Sequence, residues 1–324
     1  MDVEMLTSRA ISGMFYRELA AEREKSWVPQ IASVYSSDQP AETYPFLSAV
    51  PAMREWIAGR QAKGFGENKI TITNKHFETT IEFKVPELRR DKFGQVRVRI
   101  GEMAERAASH PRKLLTTLLN NGESGICYDG GPFFGAHAIW PAHSTAGSDT
   151  QSNLLELPEM ATIMPLGFTG TPTSPTSMAL ATGIGMAIEH LQGFRDDAGE
   201  PIHGADSMRF HVLVPATFGV AAAGWWAPQF AADIPNPLTG HMKKHTIEVI
   251  KTVRLAYTDA FVVLRTDNPN ARALIYQQET ELMLKSKDVD SEFAFDTDMV
   301  QYGVDQWSNA AYGFPTYACL VRFT

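Results

Sequence analysis

The chain has 324 residues, 44% of them apolar and 20% charged, with a net charge of −8. That balance belongs to a globular protein, and single cores stop growing beyond roughly 250–300 residues, so two lobes are expected. A soluble, non-secreted protein with no membrane partner is expected: no apolar run approaches the ~20 residues of a membrane helix, and MDVEMLTSRA lacks the basic-then-apolar order of a signal peptide.

Residues 1–45 start with a helical stretch around Ile11–Arg23 and then pass Pro29, Pro40 and Pro45 as an extended arm. The arm carries Trp27, Ile31, Tyr35 and Tyr44, with Phe46 and Leu47 just beyond, groups that need a surface to cover them, on the same subunit or on a neighbouring one. A helical or irregular piece, AMREWIAGRQAKGFG with Trp56 and Phe65, leads into Ile70 and Ile72, which alternate as in a strand. From Phe77 the apolar residues fall on odd positions through Val85, so the buried face switches at Asn74-Lys75, where a strand turns or bulges. A long two-stranded excursion follows from this pattern. It needs outside support, since a lone hairpin is marginal in water.

Ile100, Met103, Ala104, Ala107, Ala108, Leu114, Leu115, Leu118 and Leu119 recur at offsets of three and four, which predicts a long amphipathic helix. Pro111 predicts a bend near Ser109, and Asn120-Asn121-Gly122 supplies the stop. Residues 141–177, rich in Pro, Ser, Thr and Gly, read as loops at a lobe boundary. A second helix is predicted from Ser177 to Phe194, a strand at Phe210–Val214 and a helix at Phe218–Phe230. Strand-like runs occupy Ala260–Arg265, Ala273–Gln277, Glu292–Phe295 and Thr316–Phe323, an irregular alternation that favours an α+β class.

Candidate chemistry is sparse. Cys127 has Asp129 nearby and His137 following, as a nucleophile would, but nothing specific to a cysteine hydrolase surrounds it, and a small core residue is the simpler reading. Cys127 and Cys319 have no metal-like spacing and suit a reducing compartment. His241 and His245 stand four apart in HMKKH, without the Glu of a metalloprotease helix and with Lys243 and Lys244 to repel a cation. Lys and Arg are scattered rather than gathered into a phosphate-gripping stripe. No phosphate-cradling, nucleophile-elbow or dinucleotide motif occurs, so no catalytic, cofactor or metal residue is assigned.

The segments ITNKHFETTIEFKVPELRRDKFG, AERAASHPRKLL, LLNNGESGICYDGGPFF and DDAGEPIHGADSMRFHVLVPATFGVAA, in that order and followed by NPLTG, resemble the Mu-like phage major head subunit family over about residues 44–324. The resemblance implies an α+β, Hong Kong 97-type capsid fold. Its parts would be an N-terminal arm (1–45), an extended loop hairpin (46–85), a peripheral lobe with the spine helix (86–167), an axial lobe (168–290) and C-terminal strands returning to the lobes (291–324). It implies a virion subunit, present in the host cytoplasm during assembly, that builds hexamers and pentamers of an icosahedral shell around double-stranded DNA and touches that DNA only weakly. Further implied partners are a portal, a separate scaffold and maturation protease, and decoration proteins. Trp27, Tyr35, Tyr44, Phe46, Trp56, Phe65, Ile70, Ile72 and Phe77 are the candidate contacts between subunits. Removing residues 1–45 is then expected to leave a folded monomer that assembles poorly. The alternatives are a decoration or tail-tube protein, or a hydrolase using Cys127.

Overall fold

The computed structural model describes residues 8–47, 67–89, 94–138, 150–157, 170–196, 199–230 and 234–324. In chain order these form α1 (Ser8–Glu24), α2 (Val28–Ile31), β1 (Ala32–Ser36), β2 (Ala41–Leu47), β3 (Glu67–Thr73), β4 (Lys75–Lys84), α3 (Val85–Arg89), α4 (Gln95–Asn120), β5 (Ala136–Ala138), β6 (Thr150–Ser152), β7 (Leu154–Leu157), β8 (Gly170–Thr171) and β9 (Ser174–Pro175). Then follow α5 (Ser177–Gln192), β10 (Arg209–Val214), α6 (Gly219–Gly224), β11 (Gln229–Phe230), β12 (Ile234–Pro235), α7 (Thr239–Lys244), β13 (Thr246–Lys251), β14 (Ala260–Arg265), β15 (Leu274–Gln278), β16 (Met283–Lys287), α8 (Glu292–Thr297), β17 (Met299–Tyr312) and β18 (Ala318–Phe323).

The first lobe is built on β17. Its even positions Val300, Tyr302, Val304, Gln306 and Ser308 are buried, the period of two that a half-buried strand requires. β4 pairs antiparallel with it from Lys84 opposite Met299 to Lys75 opposite Ser308. β16 and then β15 take the other edge, and β1 adds in parallel to β15. On this sheet lies α4, whose buried Val96, Ile100, Met103, Ala104, Ala107 and Ala108 share one cluster with Phe83, Val300 and Tyr302. Pro111 sits inside α4 without ending it. The helix keeps its apolar stripe, because Leu115 and Leu119 beyond the proline are buried too.

Helix α1 packs on α4, with Ile11, Phe15 and Leu19 spaced at four so that they fall on one face. Together with Val28 and Ile31 they are buried in their own subunit. Residues 8–36 therefore pack on the core rather than forming a free arm, and of the two surfaces expected for the arm's apolar groups the same subunit is the one that covers these five.

The second lobe is a sheet in the order β13-β10-β14-β18-β7 with α5 on one face. All six residues of β14 are buried, as a central strand covered on both faces demands. One face meets Leu180, Ile184, Ile188 and Leu191 of α5. The other meets the end of α4 through Leu213, Val262, Leu264 and Leu320, in a cluster that also holds Leu274 and Tyr312 of the first lobe. Thr176 caps α5, its hydroxyl accepting from Ala179 N at 3.2 Å.

Several expected elements differ. Glu292–Phe295 is helical because Ser291 caps it, its hydroxyl accepting from Ala294 N. The helix expected at Phe218–Phe230 shrinks to one turn of 3-10 helix and α6, before β11. Residues 141–177, expected as loop, contain β7, which pairs in parallel with β18. β15 and β16 lie in the first sheet and β7 in the second, so sheet membership crosses the boundaries at 167 and 290. The helical piece expected at 52–66, with Trp56 and Phe65, lies outside the described residues.

Candidate functional site

The excursion read from the sequence exists with different partners. β3 pairs with β2, from Ala41 opposite Thr73 to Leu47 opposite Glu67, whereas β4 belongs to the first sheet. The phase change at Asn74 thus marks where the chain leaves the ribbon and enters the sheet. Asn74 is buried there and donates through Nδ2 to Gln39 O (2.8 Å) and Ser37 Oγ (3.2 Å). Its Oδ1 accepts from Gln277 Nε2 at 2.7 Å, and Gln277 Oε1 accepts from Tyr44 Oη at 2.8 Å. Burial pushes the Tyr44 phenol up to about 12, so it remains a donor.

Above this polar root, the rings of Tyr35 and Tyr44 lie 5.2 Å apart and pack with Ile70, Ile72 and Ile275. Four of the candidate contacts are therefore brought together, but against their own chain, and Ile72 is only 2% exposed. Trp27 packs on the core cluster beside the end of α4, and Phe77 lies 4.2 Å from the His110 ring. Phe46 stands opposite Asn68 in the ribbon. Among the described residues no further strand pairs with β2 or β3, and at the root Gln277 Nε2 donates to Ile72 O and Asn309 Nδ2 to Thr73 O.

Sequence reasoning missed the apolar groups that are exposed. Phe295 is 91% exposed, and Val220, Val253, Ile126, Trp226 and Met283 also face outward. The signals were the aromatic doublet Trp225-Trp226, inside the helix expected at Phe218–Phe230, and the pair Phe293 and Phe295, inside the strand-like run at Glu292–Phe295. Basic residues scattered in sequence are likewise gathered by the fold: Arg106 and Arg112 of α4 and Lys251 and Arg254 line one hollow with Glu105 and Trp27.

Cys127, Asp129 and His137 do meet. The thiol donates to Asp129 Oδ1 at 2.8 Å, and His137 Nδ1 lies 2.6 Å from Asp129 Oδ2 but 4.0 Å from the sulfur. Burial first, then the neighbouring carboxylate, pushes the thiol up to about 12. Burial would raise Asp129, yet hydrogen bonds from His137, Cys127 and Gly131 hold it at about 2. The carboxylate stands between thiol and imidazole, so no base takes the thiol proton, as a nucleophile requires. His241 and His245 stack at 6.0 Å, but Nδ1 of His245 accepts from Met208 N.

A sequence profile of the Mu-like prophage major head subunit gpT matches residues 8–163, from α1 past the end of β7. Over that stretch, a little under half of its length, the chain is similar to the Mu-like gpT family. The major capsid protein of Escherichia phage Mu is 32% identical over 129 residues, which are 39% of this chain. They are 42% of that protein, so the match spans less than half of the curated relative's length. A chain of the bacteriophage JBD30 procapsid superposes with a TM-score of 0.50 at 21% identity, covering 98% of this chain and 76% of its own. A chain of the cyanophage P-SCSP1u capsid gives 0.54 at 10% identity, covering 90% and 86%. At such identities the likeness is one of fold: the chain has the Hong Kong 97-type capsid fold. The family match begins ahead of residue 44, where the resemblance was expected to start, and it takes in α1.

Proposed function

We propose that the chain is the major subunit of a phage head, assembling with copies of itself into hexamers and pentamers of an icosahedral shell around double-stranded DNA. The observation that carries the reading is a family of head subunits matched over α1 to β7, joined to a two-stranded ribbon with which no third strand pairs among the described residues. A two-stranded ribbon is marginal alone, and strand edges without a partner strand invite pairing, so a neighbour covering it adds hydrogen bonds. On this reading the first sheet with α4 is the peripheral lobe and the second sheet with α5 the axial lobe. Phe295, Trp226 and Val220 are then contact residues, because large exposed apolar groups favour an interface.

The basic hollow suits weak, salt-sensitive contact with packaged DNA, since a few cations on a chain of net charge −8 neutralise few phosphates. Portal, separate scaffold, maturation protease and decoration proteins are further partners on this reading. A tail tube or decoration protein is disfavoured by the fold, and a Cys127 hydrolase by a buried thiol that donates to the Asp129 carboxylate while His137 stands 4.0 Å away.

Imaging of the recombinant protein by negative stain tests this directly. Closed shells, or rings of six and five, are expected; tubes alone, or monomers at every concentration with and without a co-expressed scaffold, overturn it. Replacing residues 43–71 by a short turn should leave a folded chain that forms no shells.

A further inference from the structure

The Cys127, Asp129 and His137 cluster has no part in assembly as described above, and its hydrogen-bond inventory does not close for a neutral ring. His137 Nε2 lies 3.2 Å from Phe133 O, which only accepts, so Nε2 carries a hydrogen. Nδ1 faces Asp129 Oδ2 at 2.6 Å, which also only accepts. A neutral imidazole has one hydrogen to give while both its nitrogens face acceptors, a mismatch that a metal cation between Nδ1 and Oδ2 would resolve. Cys127 Sγ is close enough to share that cation, because one ligand atom from each residue falls within 4.8 Å of the others.

We propose that Cys127, Asp129 and His137 form a divalent transition-metal site, with zinc the best fit. The donor set of one thiolate, one imidazole and one carboxylate suits a borderline cation, and calcium or magnesium would call for oxygen alone. Tetrahedral ligands at 2.0–2.3 Å from zinc sit roughly 3.3–3.6 Å apart, so on binding the 4.0 Å between Sγ and Nδ1 closes by a few tenths of an ångström and the 2.6 Å between Nδ1 and Oδ2 opens by about 0.7 Å. Binding releases the thiol proton to solvent, with any proton held at Nδ1. Thiolate, carboxylate and a divalent cation then sum to zero charge in a largely buried site, while the Asp129 side chain, 18% exposed, leaves an entry path.

The surroundings are those of a prepared site. The Nε2–H bond to Phe133 O fixes the tautomer that leaves Nδ1 free to ligate, the usual outer-shell device for a metal-bound histidine. Gly131 N orients the carboxylate at 3.1 Å. Gly130, with φ at 82°, lets the Cys127–Gly131 turn close, and its N–H donates to Cys127 O. The site would fasten this turn, just beyond α4, to β5.

Cobalt titration of the reduced, chelator-treated full chain tests it. A thiolate-to-cobalt charge-transfer band should grow to one equivalent, vanish on adding zinc, and survive Cys319→Ser but not Cys127→Ser. Zinc should also raise the melting temperature of the wild type and slow alkylation of Cys127. Absence of the band in the wild type overturns the proposal even if Cys127→Ser fails to fold, and so does a band retained in Cys127→Ser. Shell formation without metal leaves the assembly reading standing, so the two can fail separately.

Discussion

Gln277 and Asn74 are joined side chain to side chain at 2.7 Å, both more than nine-tenths buried, one on β15 and the other at the root of the β2–β3 ribbon. The bond couples the direction of the ribbon to the sheet of the first lobe. Asn74→Ala leaves the Gln277 amide nitrogen with Ile72 O at 3.3 Å and Gln39 O with the Ser37 hydroxyl at 2.9 Å, each one hydrogen bond short. Its cost should be about 1–3 kcal/mol in urea unfolding, the penalty for buried polar groups that lose a hydrogen bond. Amide exchange should quicken in residues 41–47 and 67–73 more than in β14, and uniform exchange across both would mean that Asn74 does not hold the ribbon.

The amino-terminal segment should matter for folding and not only for assembly. Phe15 is fully buried against α4, so Phe15→Ala should cost about 3–5 kcal/mol. Removing residues 1–45 also strips β1 from β15, and the truncated chain should lose its cooperative transition in calorimetry. A truncated chain that melts sharply and merely fails to assemble would restore the picture of a detachable arm.

The sequence exposed this segment's apolar residues but not their destination. Spacing of four in Ile11, Phe15 and Leu19 was legible as a helix, but which helix covers it is a tertiary fact that periodicity does not carry. The long helix α4 was readable almost to its ends, because its stripe persists across Pro111. β17 was not, because Gln306 and Ser308 take inward positions and pair with each other, with Gln306 also donating to Tyr276 Oη, so polar residues interrupt the apolar alternation. The ribbon was legible as a change of phase at Asn74 but assigned to the wrong strand pair, since hydrophobic phase records faces and not partners. The cluster of Cys127, Asp129 and His137 needed the turn at Gly130 to bring residues ten apart into contact.

Two glycines should respond in opposite directions to alanine. A side chain at Gly125 would fall about 2.6 Å from Tyr312 Cε2 and Cζ, displacing a ring that stacks on Phe133 and whose hydroxyl donates to Leu118 O. Gly125→Ala should destabilise by about 1–3 kcal/mol. Gly101, in the middle of α4, faces open space, and Gly101→Ala should stabilise by up to about 1 kcal/mol through helix propensity. Denaturant midpoints of the two variants check the pair, and a loss at Gly101 would show that something else occupies that face.

Acid should weaken the second lobe through His203. The ring is 2% exposed, donates through Nε2 to Thr316 O at 2.7 Å and accepts at Nδ1 from Arg265 Nη1 at 2.6 Å. Arg265 in turn forks onto both oxygens of Asp267. Burial, aided by the Arg265 charge and opposed by the bond to Thr316, pushes His203 down to about 4. The unfolded chain takes up this proton near pH 6.5 and the folded chain only near 4, so the unfolded state binds more protons between those values. Stability therefore falls as pH drops through that window, by on the order of 3 kcal/mol from this residue. His203→Gln should be less stable at pH 7, where it loses the Arg265 bond, yet lose less between pH 6.5 and 4. Urea midpoints measured across that range decide it: wild type and variant falling in parallel would mean that His203 is not held neutral by the fold.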